Sequence, residues 1–293
     1  MFFFFLLNIL PILLAVMFFT LMEVQMLGKI HLRLGPTRVG MIGIFQPLSD
    51  FLKLFNKSFW FPQKSNLSIY FISPLLCLFV GFIVWHGYGT KFPLTNIKWS
   101  ILSFFCLSSL LVFYLLMSGW ASSSTYSLLG SYRSAAQTIS YEVCLIFIIF
   151  SSIFFVKTFS IWELSEETPM LSLIHPILLL IWIFSCLAES NRTPFDLTEG
   201  ESELVSGFNT EFQGGLLSFF FITEYAFMIF LSFLTIIFFM NQEMFWLKQM
   251  LMISFFIFTR SAYPRMRFDW LMKIMWKNIL PIILSSLVLS TLI

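Results

Sequence analysis

Six carboxylates and one arginine crowd into 23 residues between two long apolar runs. The segment reads Glu189-Ser-Asn-Arg-Thr-Pro-Phe-Asp-Leu-Thr-Glu-Gly-Glu-Ser-Glu-Leu-Val-Ser-Gly-Phe-Asn-Thr-Glu211. Its acids are Glu189, Asp196, Glu199, Glu201, Glu203 and Glu211, six of only 15 in the chain. Carboxylates this close couple one another's titrations and can take up and release protons. We therefore predict proton chemistry in this acidic segment.

The acidic segment also contains large apolar side chains, among them Phe195, Leu204 and Phe208. A solvated acidic loop is the simpler explanation, but such a loop would not carry these residues. We therefore favour a functional segment. Arg192 is expected to pair with one carboxylate and keep it ionised.

Two further acids, Glu142 and Glu224, lie inside apolar runs. The alternative to a functional role is a snorkelling or helix-paired side chain, but acids inside a membrane are costly and functional by default. Inserting a charged carboxylate costs ~2.5–3.5 kcal/mol. Protonating it at pH 7 from a reference pKa near 4.3 costs about 3.7 kcal/mol. Since the two costs are comparable, a nearby charge can decide the state of Glu142, as a proton relay requires.

Composition places these acids in a membrane protein. Hydrophobic residues make up 58% of the chain, charged residues 11%, and the mean hydropathy is +0.89. A water-soluble core cannot bury this much apolar surface, so lipid must be the main solvent. The net charge of +2 gives no reason to expect a nucleic-acid partner.

We predict an all-α integral membrane protein with about eight transmembrane helices in one domain, residues 1–293. Helices satisfy every backbone group internally, and the alternating pattern of a membrane barrel is absent from the sequence. The predicted spans are 2–22, 67–87, 99–118, 134–156, 171–188, 216–239, 244–259 and 275–293. No basic leader precedes the first run, which we expect to be retained as a span.

The charges of the connections predict the orientation. Of the 17 Lys and Arg residues, 13 follow spans 1, 3, 5 and 7, and 4 follow spans 2, 4 and 6. The more basic set, which includes the acidic segment, should face the cytoplasm or the mitochondrial matrix. Both termini then face the opposite side.

The first of these connections contains an amphipathic pattern near residues 45–57. Polar residues recur at three-to-four spacing, apolar residues fill the other side, and Pro47 suits a first helical turn. We predict a helix lying in the membrane interface. A helix packed on a soluble partner is a compatible alternative.

Sites for redox cofactors are not indicated. The four cysteines are Cys77, Cys106, Cys144 and Cys186, each alone in an apolar run, which favours small buried side chains. His86 and His175 lie near the ends of apolar segments, as haem ligands would, but no haem motif accompanies them. Since no nucleotide fingerprint occurs, we expect no NADH, flavin or metal on this chain.

Several motifs resemble one family. The acidic segment is similar to the signature loop of the quinone-site membrane subunits, subunit 1, of NADH:ubiquinone oxidoreductase (respiratory complex I). Further stretches agree in order: Gly35-Pro-Thr-Arg-Val-Gly40, Gln46-Pro-Leu-Ser-Asp50, Lys53-Leu-Phe55, Ala136-Gln-Thr-Ile-Ser-Tyr-Glu142, Arg260-Ser-Ala-Tyr-Pro-Arg-Met-Arg-Phe-Asp269 and Trp276-Lys-Asn-Ile-Leu-Pro281. The resemblance covers nearly the whole chain. The 40 phenylalanines suggest an AT-rich organellar gene, in line with a mitochondrial member.

The resemblance implies a fold docked beneath a peripheral arm, with a tunnel that leads ubiquinone to an iron–sulfur cluster held by other subunits. The residues that it assigns to the tunnel and its support are Glu23, Arg33, Gln46, Asp50, Lys53, Arg133, Tyr141, Arg192, Phe195, Phe208, Arg260, Arg265, Arg267 and Asp269. The carboxylates that it assigns to a proton relay are Glu142, Glu189, Asp196, Glu199, Glu201, Glu203, Glu211 and Glu224. No residue is expected to be catalytic in isolation.

The resemblance also implies partners and a location. Ubiquinone would be the substrate, while FMN, the iron–sulfur clusters and NADH would be bound by partner subunits of the peripheral arm, with further neighbours in the membrane arm. The location would be the mitochondrial inner membrane, with the acidic segment on the matrix side and both termini in the intermembrane space. The basic residues 260–269 favour contact with lipid headgroups, including cardiolipin. Docking to a partner or guarding the tunnel mouth is the alternative for that segment.

The chain departs from the family pattern in a few places. The family usually has a basic pair after the first-loop glutamate, whereas Val24 and Gln25 follow Glu23, which argues against a local ion-pair cluster there. Thr37 and Phe212 replace a common asparagine and a common tyrosine.

Two other functions remain open. One is the quinone-independent membrane subunit of an energy-converting hydrogenase. The other is a stand-alone proton or cation transporter, although the internal repeat typical of transporters is not visible in the sequence.

Overall fold

The protein is all-helical over the residues that the computed structural model describes, which are 2–58, 61–62, 65–87, 98–167, 175–197, 200, 205–240 and 243–292. The helices are α1 Phe2–Ile30, α2 Gln46–Asn56, α3 Leu67–His86, α4 Ser100–Ser122, α5 Thr125–Val156, α6 Ile161–Glu167, α7 Pro176–Glu189, α8 Gly215–Phe239, α9 Phe245–Ala262, α10 Phe268–Lys273 and α11 Leu280–Leu292. A π-helical stretch, Ile274–Ile279, joins α10 to α11.

Six of the described helices are long and apolar enough to cross a membrane: α1, α3, α4, α5, α8 and the rod that α10 and α11 form together. Helix α7 is apolar and has 14 residues, a length of ~21 Å against a hydrocarbon layer of ~30 Å. Residues 171–174 of the predicted fifth span lie outside the described residues. Helix α9 has 18 residues, but Lys248 and Arg260 lower its hydropathy. The fold is that of an all-α membrane protein, as predicted.

Two helices extend beyond the predicted spans. Helix α1 continues past residue 22 to Ile30, so Glu23 lies on a helix and not in the first connection. Helix α5 begins at Thr125, so Arg133 lies within it. The apolar run ends at the first polar residues, but hydrogen bonding continues through them because Glu, Gln and Lys are good helix formers. The amphipathic helix predicted near 45–57 is present as α2, with Pro47 in its first turn.

Helix α8 lies at the centre of the bundle. In its most apolar stretch 83% of the residues are buried, against 22–50% in the other spanning helices. It packs against α1, α2, α3, α6, α7 and α9. A helix that is apolar on all sides favours such a buried position. Ser218, Thr223, Ser232 and Thr235 of α8 are accordingly buried, and Glu224 and Tyr225 are half-buried.

A second apolar core fixes the chain where the acidic segment returns to α8. Phe208 and Phe212 pack with Tyr70, Tyr114 and residues of the first turns of α8. The Tyr70 and Phe212 rings stack with centroids 4.3 Å apart. The end of the acidic segment is thereby attached to α3, α4 and α8.

The close approach of this returning chain to α5 depends on two glycines. A Cβ atom added to Gly130 would lie 2.8 Å from the Cα atom of Gly207. Gly207 itself has a φ of 56°, a conformation that residues with a side chain rarely adopt. Backbone thus packs on backbone at this position, and neither side can move aside cheaply.

We expect Gly130→Ala to destabilise the chain by about 1–3 kcal/mol, because the new methyl group overlaps backbone atoms. The matched control is Gly81→Ala, whose new methyl group would lie 3.1 Å from Thr223 Cγ2 and no nearer than 3.6 Å to a backbone atom. Thermal unfolding of the purified assembly should show a lower Tm for Gly130→Ala than for Gly81→Ala. Equal Tm values would contradict the backbone contact.

Candidate functional site

A buried ion cluster joins distant parts of the chain at Glu23, which lies on α1 and is only 4% exposed. Arg192, in the loop after α7, places Nη1 3.2 Å from Glu23 Oε1. Arg260, in the last turn of α9, forms a second ion pair with the same oxygen. Tyr225 of α8 donates its hydroxyl to Glu23 Oε2 over 2.7 Å. Two cations and one hydroxyl therefore satisfy a single buried carboxylate.

Arg192 is held firmly in this Glu23 cluster. Its side chain is 13% exposed, its Cζ lies 4.5 Å from the centroid of the Tyr225 ring, and its Nε lies 3.2 Å from Met228 Sδ. Burial lowers the pKa of Arg192, but the Glu23 carboxylate and Tyr225 raise it, and the net result is a pKa above the usual range. Arg192 is therefore a permanent positive charge inside the protein.

The Glu23 cluster is not local in sequence. Arg192 was expected to pair with one carboxylate, and that carboxylate lies 169 residues earlier in the chain. The absence of a basic pair after Glu23 argued against a local cluster, and the cations come instead from the ends of α7 and α9. One signal for this was available: an acid near the end of an apolar run needs a cation, wherever in the chain it originates.

Gln137 of α5 holds the turn that presents Arg192. It is fully buried, and its Nε2 donates to the carbonyl oxygens of Ala188, at 2.8 Å, and Phe195, at 2.9 Å. The backbone N–H of Met266 donates to the Pro194 carbonyl at 2.9 Å on the other side of the same turn. Gln137 belongs to the motif Ala136–Glu142, but its role was not predicted, because a polar residue on an apolar helix does not reveal its partner.

Glu142 lies between α4 and α5, separate from the Glu23 cluster. It is half-buried, and Ser108 of α4 donates its hydroxyl to Glu142 Oε1 at 3.0 Å. Tyr141, beside it, is fully buried, and its hydroxyl has no hydrogen-bond partner among the described residues. This pair therefore places an acid and an unsatisfied hydroxyl within the bundle.

Glu189 and Glu224 line the same cavity, which has a volume of about 30 Å³. Its walls come from α3, α4, α5, α8 and the end of α7 with the two residues that follow. Glu189 is 7% exposed, and its Oε2 finds no partner among the described residues. Two of the predicted relay acids are therefore brought to one internal space.

The cavity adjoins the Glu23 cluster through two pairs of consecutive residues. Asn191 lines the cavity and Arg192 belongs to the cluster, while Glu224 lines the cavity and Tyr225 belongs to the cluster. The charges interact across this boundary, since the Glu224 carboxylate contributes to the raised pKa of Arg192. The cluster and the cavity thus form one continuous polar region.

The remaining predicted acids are less fully described. Glu199, Glu201 and Glu203 lie outside the described residues. Glu211 is half-buried, and its backbone carbonyl accepts a 2.7 Å hydrogen bond from Tyr70. Asp196 is half-buried in the turn held by Gln137. The relay assignment of these five acids therefore remains a prediction.

The predicted tunnel residues lie in several places. On the first connection, Arg33, Asp50 and Lys53 are exposed, and Gln46 donates to Asp50 at 3.0 Å. Phe195 and Phe208 are fully buried in aromatic packing. A polar pocket is lined by Arg133, Arg267, Phe268 and Asp269, and a 3.0 Å ion pair joins Arg267 to Asp269. Arg265 lies against Gly200 so closely that a Cβ there would overlap its guanidinium group.

An apolar pocket of about 300 Å³ opens beside the amphipathic helix. Its walls are Leu13, Met17, Leu48, Phe51, Leu52, Phe55, Leu78, Phe82, Phe219 and Ile222, contributed by α1, α2, α3 and α8. Nothing polar lines it, so it suits a hydrocarbon ligand.

Among the described residues, no group of three His, Cys, Asp or Glu side chains could hold a metal ion.

We expect Glu23→Gln to destabilise the assembled chain by about 3–5 kcal/mol, because it leaves Arg192 buried without its counter-charge. Asp269→Asn is the control, since the Arg267–Asp269 pair has side chains that are 79% and 57% exposed and should contribute only ~0–1 kcal/mol. Thermal unfolding of both variants at equal salt tests this. A Glu23→Gln variant as stable as Asp269→Asn would show that the Glu23 cluster is not structural.

Comparison with known proteins gives consistent results. A model of the NADH dehydrogenase family matches residues 4–291. A relative named NADH-ubiquinone oxidoreductase chain 1, from Emballonura alecto, is 44% identical over 293 residues, covering 96% of this chain and 92% of its own. The protein of the same name from Nyctalus noctula is 46% identical, over 94% of this chain and 96% of its own. The one from Mammuthus primigenius is 44% identical, over 96% of this chain and 94% of its own. The chain therefore belongs to the NADH dehydrogenase family.

Proposed function

We propose that this chain is the core membrane subunit of a proton-translocating NADH:ubiquinone oxidoreductase, in which it walls the ubiquinone tunnel and couples quinone reduction to proton movement through buried carboxylates. The observation that carries this proposal is the continuous polar region formed by the Glu23 cluster and the cavity between Glu189 and Glu224, in a member of this family. Charged groups inside a membrane bundle are expensive and mark ion or proton paths.

The apolar pocket beside α2 supports a quinone entrance. It has room for part of an isoprenoid chain and lies between α1 and α8, the two helices that also carry Glu23 and Tyr225. A ubiquinone tail entering from lipid would meet apolar walls only, and its head group would then move towards the polar region. The pocket therefore supports an entrance beside both the first and the sixth predicted spans.

Partner subunits are needed to complete the tunnel. In the connection between α1 and α2, Leu32, Leu34 and Met41 are 97%, 88% and 85% exposed. Apolar side chains exposed to this degree in a loop favour a protein partner. We assign them to contact with the peripheral arm, whose subunits would carry FMN, the iron–sulfur clusters and NADH. The location that follows is the mitochondrial inner membrane, with this loop and the acidic segment on the matrix side.

Coupling follows from electrostatics. Reduction of ubiquinone to quinol takes two electrons and two protons, and negative charge develops on the head group before protons arrive. Carboxylates in a low-dielectric region respond to such a charge by changing their protonation. Glu142, Glu189 and Glu224, with the acids of the segment 189–211, would pass the protons along the membrane arm.

Glu142→Gln and Glu201→Gln should leave the complex assembled but lower quinone-coupled turnover by ~10- to 100-fold, because a glutamine cannot relay a proton. The control is Glu163→Gln on α6, whose side chain is exposed. NADH:ubiquinone activity and proton uptake are measured on purified complexes, with NADH oxidation by a water-soluble acceptor as the check on the peripheral arm. Normal coupled activity in assembled Glu142→Gln and Glu201→Gln complexes would refute the relay.

Leu52→Glu should raise the KM for ubiquinone about tenfold with little change in kcat, since it places a charge in an apolar entrance and removes contact of ~1.5 kcal/mol or more. Ser49→Glu adds the same charge on the exposed, polar face of α2 and serves as the control. Steady-state kinetics with a long-tailed and a short-tailed quinone measure both. Identical KM values for the two variants would remove the pocket as the entrance.

A further inference from the structure

An apolar groove with a volume of about 510 Å³ lies between α7 and α9. Each of these helices packs against α8, and the groove, called the α7–α9 groove below, separates them. Its floor includes the buried side chains of Leu187 and Phe195, and its rim includes the exposed side chains of Leu180 and Phe255. The groove therefore opens on the outer face of the bundle, where hydrocarbon or an apolar partner must fill it.

The chain that follows α9 closes one end of the α7–α9 groove. Pro264 and Met266 form part of its wall there, and the Met266 N–H donates to the carbonyl of Pro194, another wall residue, at 2.9 Å. The C-terminal ends of α7 and α9 lie at this end. It is therefore on the side of the acidic segment, which the charges of the connections predict to face the matrix.

Arg265 brings a positive charge to the closed end. It lines the groove, and its Nη2 atom is buried without a hydrogen-bond partner among the described residues. Buried donors are nearly always paired, and a charge shielded from water is costly without a counter-charge. Tyr263, an exposed residue on the same wall, is of a type enriched where a membrane meets water. The chemistry that is missing at this end is an anion.

The neighbouring arginines already have partners. Arg260 pairs with Glu23, and Arg267 pairs with Asp269. Within the part of the chain that the structure describes, no ion pair is formed by Arg265. The counter-charge of Arg265 is therefore expected from a molecule that occupies the groove.

A transmembrane helix of a partner subunit is the alternative occupant. Such a helix is ~10–12 Å wide and has to continue through the membrane surface, whereas the chain after α9 closes the groove at that surface. A phospholipid suits this closure, because its headgroup stays at the surface and only its acyl chains enter. Basic pockets between transmembrane helices on the matrix side bind anionic headgroups in this way.

We propose that the α7–α9 groove binds an anionic phospholipid, whose phosphate pairs with Arg265 and whose acyl chain lies between Leu180 and Phe255. A phosphate accepts two parallel hydrogen bonds from a guanidinium group, which would satisfy the buried Nη2 atom. The inference goes beyond the proposed function, because this groove shares no residue with the apolar pocket beside α2.

Photo-crosslinking in the assembled complex tests the site. The complex is reconstituted in nanodiscs with phosphatidylglycerol or phosphatidylcholine, each carrying the same photoactivatable acyl chain at the same mole fraction. Phosphatidylglycerol should label residues 180–187 and 255–259 more strongly than phosphatidylcholine does. Arg265→Gln should lower this labelling about tenfold, because it removes a charge-assisted hydrogen bond. Arg265→Lys keeps the charge and should retain most of the labelling.

Arg267→Gln is the matched control, because it removes an exposed arginine from the same connection outside the groove. Its labelling should equal that of the wild type. Equal labelling by the two lipids, or equal labelling of Arg265→Gln and Arg267→Gln, would overturn the inference, as would a map of the complex with a partner helix in the groove. If Arg265→Gln does not assemble, the comparison of the two lipids in the wild-type complex decides. Since ubiquinone reduction is not the readout, failure here leaves the proposed function standing.

Discussion

The structure depends on the neutralisation of a charge that lipid and apolar side chains cannot solvate. Glu23 is buried on α1, and its carboxylate is satisfied only where the loop after α7, the end of α9 and the middle of α8 meet. A buried ion pair contributes little net stability when compared with apolar packing, but the loss of one partner is costly. The Glu23 cluster therefore specifies which helix ends come together more than it adds to their stability.

The same constraint orders the region around the cavity. Helix α8 is apolar on nearly every side, and polar groups in its middle, such as Thr223, Glu224 and Tyr225, meet groups from other helices. Gln137 satisfies buried backbone groups in the same way. Its Nε2 donates to two carbonyl oxygens of one turn, which are both acceptors and so cannot bond to each other. The arrangement of functional side chains thus follows from the need to satisfy buried polar groups.

Much of this could be predicted from the sequence. Hydropathy identified the membrane class and the main helices, and the amphipathic pattern identified α2, because both depend on local side-chain composition. The density of carboxylates identified Glu189 as a candidate, and its position inside an apolar run identified Glu224. The partners could not be predicted: Glu23 meets Arg260 across 237 residues, and Gln137 carries no signal for the two carbonyl oxygens that it binds. Helix ends were also missed, since α1 and α5 continue through polar residues that end a hydropathy segment.

The separation of Glu23 from its two cations has a consequence for biogenesis. During synthesis, α1 enters the translocon when neither Arg192 nor Arg260 has yet been translated, so its acid must cross into lipid unpaired. The cost of a lone carboxylate at that stage is ~2.5–3.5 kcal/mol, which the apolar remainder of α1 can offset. The ion cluster around Glu23 can be completed only after α9, which carries Arg260, has been synthesised. The first helix of the chain therefore depends on one of the last. A nascent chain truncated before Arg260 would lack one of the two cations that neutralise Glu23.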